Sequence, residues 1–312
     1  MPSTMTHAAM ARDIYNRLSK NVQEKFDNQL EEYVTYSQGP DLFYFYGIIL
    51  PFRKYLRIQK FGGRVHREKV NELFIYLTNE VKKNKNLNQF VFLCGLLTHY
   101  MGDTTCHPLV NYIDDYINKS LKRRKDYHFM VELYMDNYIL LKKGYDYKKF
   151  KCHKYAFNTK KNNDIEKLLN NAFYDVFKEK NIGTIYYKSL RDMKVFFHIL
   201  RYDPYKIKRY IFNILYLFAF YIKKDFRYLS YNFDLSEKLN NLYLNLNHKT
   251  WYNVKKKDNI SNKSFMDLYN ETIDKSVDKI TKLYDYIFND KKLDLETFYG
   301  NLSYANGLPL KK

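Results

Sequence analysis

Glycine and proline are scarce in this chain, at 10 and 6 of 312 residues. Sandwiches and barrels need many turn residues, so the scarcity excludes them and points to helices joined by short connections. Cysteine is scarcer still, and Cys94, Cys106 and Cys152 make no even-numbered disulfide framework. Cys94 sits in an apolar run and reads as a small core residue. Long apolar runs are missing too. The longest, residues 210–222, is broken by Asn213 and falls short of the roughly 20 residues that a bilayer span requires. The opening stretch, residues 1–7, has no basic start followed by an apolar core, so no signal peptide is expected. A soluble protein in a reducing cytoplasm is the expectation.

Acidic residues are also in short supply, 34 against 53 Lys and Arg, for a net charge of +19. Such a charge draws a protein toward phosphate-rich partners, either nucleic acid or an anionic bilayer surface. A chain-wide abundance of Lys, Asn, Tyr and Ile accounts for it more simply than a dedicated patch. The basic runs at 122–125 and 255–257 read as solvated helix ends or loops.

What is present is apolar and aromatic substance, 46% and 18% of the residues, enough to exclude disorder and to build a core. The periodicity predicts an all-α protein with no strand pattern and no internal repeat. A single domain is expected over 1–312, with its metal-site half at about 1–140 and additional helices over about 141–312. Helices are predicted at 8–18 with Thr4 or Thr6 as N-cap, at 22–36, and from His66 to about residue 81. The stretch 47–65 reads as a connection. Further helices are expected at 109–121, 126–141 with Asp126 as N-cap, about 163–179, 210–222 led by Asp203 and Pro204, 233–246 and 262–289.

One stretch carries unusual chemistry. Residues 93–108 begin apolar and then place His99, Asp103 and His107 at steps of four. On a helix each such step lands about 40° past a full turn, so neighbouring pairs share a face. Imidazole and carboxylate turned inward together suit a borderline ion such as zinc, although hydrogen-bonded or capping side chains use the same spacing. Pro108 restricts the residue before it, which puts His107 at an expected helix end and on a different ion from His99. His128 and Glu132 repeat the i,i+4 pattern among apolar neighbours, fitting either a buried hydrogen bond or a metal site. Asp41 follows a Gly39-Pro40 turn, as a turn residue or as a ligand. His7 and His66 stand at expected helix starts. His153, His198 and His248 lack ligand-spaced partners and read as structural or exposed.

The order of these pieces resembles the zinc-dependent phospholipase C family of bacteria, in an intracellular, signal-less form. The matching segments are residues 3–7 ending in His7, Gln38 to Asp41, His66 to Glu68, His99 to Pro108, and His128 to Glu132. The resemblance implies a helical domain with a zinc cluster in a cleft. One zinc would take Asp41, His66, His99 and Asp103. A second would take His107, His128 and Glu132, and a third His7 with the bridging Asp103. Asp41 would also be the catalytic base, and the substrate a phospholipid or lipid-like phosphodiester, cleaved by metal-activated water. A zinc nuclease acting on single-stranded nucleic acid shares the general plan and is the alternative; a non-catalytic metal-binding protein is a further one. The chain departs from exported members in lacking a secretion signal and an N-terminal tryptophan, and in its shorter Asp103-to-His107 gap. Met1 or Pro2 would then have to complete the third site, across an extended reach of about 16 Å.

Overall fold

A computed structural model of the chain describes residues 4–48, 53–122, 127–146, 149–158, 160–199, 207 and 241–311. The architecture is all-α. It comprises α1 (Thr4–Arg17), α2 (Lys20–Glu24), α3 (Leu30–Tyr36), a 3-10 turn (Gly39–Phe45), α4 (Arg53–Val65), α5 (Val70–Asn84), α6 (Leu87–Ser120), α7 (His128–Lys142), α8 (Cys152–Tyr155), α9 (Asn163–Phe177) and α10 (Ile182–Ile199). A hairpin of β1 (Trp251–Asn253) and β2 (Lys256–Ser261) follows, then α11 (Phe265–Phe288) and α12 (Leu295–Tyr299). Among the described residues no helix is long and apolar enough to cross a membrane.

Helix α6 is the axis of the fold. Asn86 caps it by accepting from the Gln89 N–H, satisfying one of the amides that a helix start leaves unpaired. Its sequence is apolar nearly all round, the pattern of a helix enclosed by others. It packs against α1, α3, α5, α7, α9, α11, β1 and the 3-10 turn. Helix α11 is set by a capping box in which Ser264 and Asp267 satisfy each other's amides.

Several local expectations are corrected. Pro108 does not end a helix, and the span predicted as a separate helix at 109–121 belongs to α6, which continues to Ser120. An internal proline deletes one hydrogen bond and costs about 3 kcal/mol. Burial against so many neighbours outweighs that cost. Gly307, at φ +66, lies over the Thr104 carbonyl that Pro108 leaves unpaired; a Cβ there would stand 2.3 Å from that oxygen. Residues 53–65 are helical and not a connection, because Ile58, Phe61 and Val65 form one buried face. His66 therefore follows the end of α4 and does not open α5, which starts at Val70. Helix α1 begins at Thr4, so His7 lies inside it, and Asp136 replaces the expected threonine cap. Its carboxylate accepts from Met5 N at 3.1 Å, Thr6 N at 2.8 Å and Thr6 Oγ1 at 2.8 Å.

The predicted helix at 22–36 is broken by Asp27 and Asn28, both at positive φ. The expectation of no strands misses the small hairpin, in which Asn253 faces Lys256 across a two-residue turn. The basic run at 255–257 falls on that turn and strand. Asp126 and the predicted helix at 210–222 with its Asp203-Pro204 start lie outside the described residues, as do most of 233–246 and the terminal residues 1–3.

Candidate metal centre

Three chain segments converge on the middle of α6. The turn carrying Asp41 descends onto the His99 ring, and Gly39 at φ +53 makes that approach possible: a Cβ there would meet the ring at 2.4 Å. The end of α4 brings His66 from another side. Asp136, by holding the first turn of α1, sets His7 beside Asp103. Asp41, His66, His99 and Asp103 are all buried, and one ligand atom from each lies within 4.8 Å of all the others. His66 Nε2 is 2.9 Å from Asp41 Oδ1, His99 Nε2 is 3.7 Å from the same oxygen, and His99 Nε2 is 3.3 Å from Asp103 Oδ2. Neighbouring ligands on a tetrahedral zinc stand about 3.4 Å apart.

A second cluster lies further along α6. His107, His128 and Glu132 also offer atoms within 4.8 Å of one another. Glu132 Oε1 is 2.7 Å from His128 Nε2 and 3.8 Å from His107 Nε2. His99 and His107 are separated by about 12 Å of helix rise, so an unbroken helix already assigns them to different ions. The expected kink at Pro108 is not needed. Asp103 sits between, with its other oxygen 3.2 Å from His7 Nε2. His7 stacks on His99 at 4.3 Å between ring centroids. The sequence partition into four, three and a His7–Asp103 pair thus reappears as three neighbourhoods in space.

Ring orientation is the telling feature. His99 Nδ1 donates to the Ser37 carbonyl at 3.0 Å, His66 Nδ1 to the Gly62 carbonyl at 2.7 Å, and His107 Nδ1 to the Tyr304 carbonyl. A carbonyl can only accept, so each Nδ1 holds the proton and each Nε2 presents a lone pair. All three lone pairs face carboxylate oxygens. Two electron-rich atoms at such distances share a cation, either a proton in the metal-free protein, as in the 2.9 Å hydrogen bond between His66 and Asp41, or a metal ion. Consistently, the buried His7 Nδ1 and Nε2, His99 Nε2 and both Asp103 oxygens find no hydrogen-bond partner among the described residues, an arrangement costing several kcal/mol, by rough estimate, if left so. The donor set fits zinc.

Burial shapes the charges. It pushes the Asp41 carboxyl well above its ordinary range, aided by Asp103 and Glu132 and opposed by His99. Burial would raise Asp103 too, but the His99 and His7 rings outweigh it and hold that carboxyl far below the usual value. Burial next to His99 lowers His7 to about 4, and burial lowers His66 as well. Glu132 is held below its ordinary range despite burial, with His128 beside it among the groups that favour the charged form.

Other histidines stay apart from these clusters. His153 and His198 meet edge to face at 4.4 Å between centroids, a pairing their sequence spacing does not announce. His248 lies 3.4 Å from Asp267. Cys106 is buried with its thiol pushed up to about 12, mainly by burial, and takes no place among the ligands. Sequence reasoning missed Asp136 and Tyr304. Asp136 continues the step of four from His128 through Glu132 and was open to detection; Tyr304 carries no such signal.

No curated protein and no solved structure matches the chain. The family model described as zinc dependent phospholipase C matches residues 6–183. The match begins one residue before His7, takes in every residue of both clusters, and runs past the stretch of about 1–140 on which the sequence resemblance rested. Covering more than half of the molecule, it places this chain in the zinc-dependent phospholipase C family.

Proposed function

We propose that the protein hydrolyses a phospholipid-type phosphodiester with zinc held by Asp41, His66, His99 and Asp103, and by His107, His128 and Glu132. His7 and Asp103 would hold a third ion. The observation that carries this is the common orientation of His66, His99 and His107, each with Nδ1 tied to a main-chain carbonyl and Nε2 aimed at a carboxylate. Bound zinc would supply a more acidic water and would offset charge growing on the phosphate oxygens.

The chain's own residues do the rest. Asp41 accepts the proton of the attacking water from its buried position beside His66 and His99. Asp103 keeps its negative charge because His99 and His7 stabilise it. In-line attack on phosphorus breaks the bond to the diacylglycerol oxygen and leaves a phosphorylated head group. The net charge of +19 favours approach to an anionic bilayer surface.

The test is zinc analysis of the pure protein, followed by parallel digestion of phosphatidylcholine vesicles and single-stranded DNA. Lipid turnover that stops with chelator and returns with zinc is expected. Cleavage of DNA alone would move the protein to a nuclease role, and a chain that takes up no zinc would refute both. Asp41→Asn should lower turnover by about 10²–10⁴-fold if Asp41 is the base; unchanged turnover with metal retained would remove that role.

A further inference from the structure

The segment after α12, residues 300–310, lies outside the family match yet touches both clusters. Tyr304 is the point of contact. Its carbonyl accepts from His107 Nδ1, which leaves His107 Nε2 facing Glu132 at 3.8 Å. Its N–H donates to the His66 carbonyl at 3.2 Å. Its ring, 1% exposed, packs edge-on against His66 at 5.1 Å and lies 5.8 Å from His99. One residue therefore constrains rings of both clusters.

The segment is built and not a loose tail. Ser303 N donates to Leu308 O, Gly307 N to Ser303 O and Leu310 N to Asn301 O, each at 2.8 Å. It is pinned along one stripe of α6. Tyr100 Oη accepts from Leu302 N at 2.8 Å and donates to Tyr299 O at 2.9 Å. Gly307 covers the Thr104 carbonyl. Two turns on, Asn111 Nδ2 donates to Ala305 O at 2.7 Å. The hairpin fastens the other side, where Asn253 Nδ2 donates to Asn306 O at 2.8 Å. Tyr100, Thr104, His107 and Asn111 follow helical spacing, so the stripe that holds the strap is the one that carries a candidate ligand.

We infer that residues 300–310 form a strap that completes the metal centre, with Tyr304 as a positioning residue that fixes the His107 ring for the second cluster and seats His66 and His99 in the first. The inference rests on the zinc reading above. Groups that orient a metal-binding imidazole typically change affinity by about 10–100-fold when lost.

The test uses the full chain with zinc competition titrations, the absorption spectrum of the cobalt-substituted protein, and melting of the metal-free protein. Gly307→Val would drive the strap from Thr104, and Asn111→Leu would release Ala305. Both should weaken zinc binding by about 10–100-fold and alter the cobalt bands. Tyr304→Ala should do the same, and the conservative Tyr304→Phe, keeping ring and peptide groups, should restore parental affinity. Ile287→Val, a core change in α11, controls for general destabilisation and should leave zinc affinity at the parental value. Strap variants that match the parent in zinc affinity and cobalt spectrum would overturn the inference while leaving the zinc reading intact. A parent chain that binds no zinc would overturn both.

Discussion

The four-residue pocket and the three-residue cluster use the same donor groups, imidazole and carboxylate, but are built differently. Asp41, His66 and the α6 pair His99 and Asp103 come from three separate segments and are all buried. Their rings are tied to carbonyls at the ends of nearby helices, Ser37 after α3 and Gly62 in the last turn of α4. The second cluster is assembled from two helices. His128 leaves 28% of its side chain exposed, and the orientation of His107 depends on a carbonyl 197 residues away. The first arrangement suits an ion held permanently, and the second suits one that exchanges or keeps an open position for substrate. Asp103 joins them.

The largest way to break this contrast is Asp103→Asn. Removing the charge that three rings surround should release zinc from the four-residue pocket and the His7 position. It should also lower the stability of the metal-free protein by about 3–5 kcal/mol, the usual cost of leaving part of a buried ionic arrangement unpaired. Metal analysis and denaturant melts check this.

Acid gives the next effect. Burial lowers the His7 pKa to about 4 in the fold from its ordinary 6.5, so the unfolded chain takes up the proton first. Stability of the metal-free protein should therefore fall as pH drops from about 6.5 to about 4, by about 3 kcal/mol in total. His66, also lowered, and Asp41, raised, pull in opposite directions across that window. His7→Gln should flatten the slope in melts taken along the pH series.

His128→Ala should be milder. The second cluster should lose its ion while the first keeps its own, and the metal-free protein should lose about 1–3 kcal/mol because the buried Glu132 loses its partner at 2.7 Å. Zinc content per chain reads the loss directly.

The smallest difference expected is in the pH dependence of zinc affinity. Asp41 holds its proton to a raised pH and must release it to bind metal, whereas Glu132 is already ionised. Acidification should weaken the four-residue pocket more steeply than the second cluster. Competition titrations with His128→Ala, compared with the parent, separate the two.

Much of the site was visible in residue spacing. His99 and Asp103 on one helical face, the i,i+4 pair His128–Glu132, and the turn before Asp41 are local patterns, and local periodicity survives folding. Pro108 misled, because its preference acts on one peptide while the fate of α6 is settled by packing along its length. The reading of 47–65 as a connection failed in the same way, since Phe61 and its partners bury the face on which α4 forms. Asp136 was within reach as a second step of four from His128. Tyr304 was not, because its role combines a main-chain carbonyl that any residue type carries with ring packing against His66 and His99, far away in the chain.

The sequence alone determined the donor types, their helical spacing and the all-α character, since these follow from periodicity and composition. Tertiary structure decided which carbonyl orients which ring and which carboxylate lies between clusters, and it brought a distant strap onto His107. Those contacts join residues far apart in the chain, and no spacing along it records them.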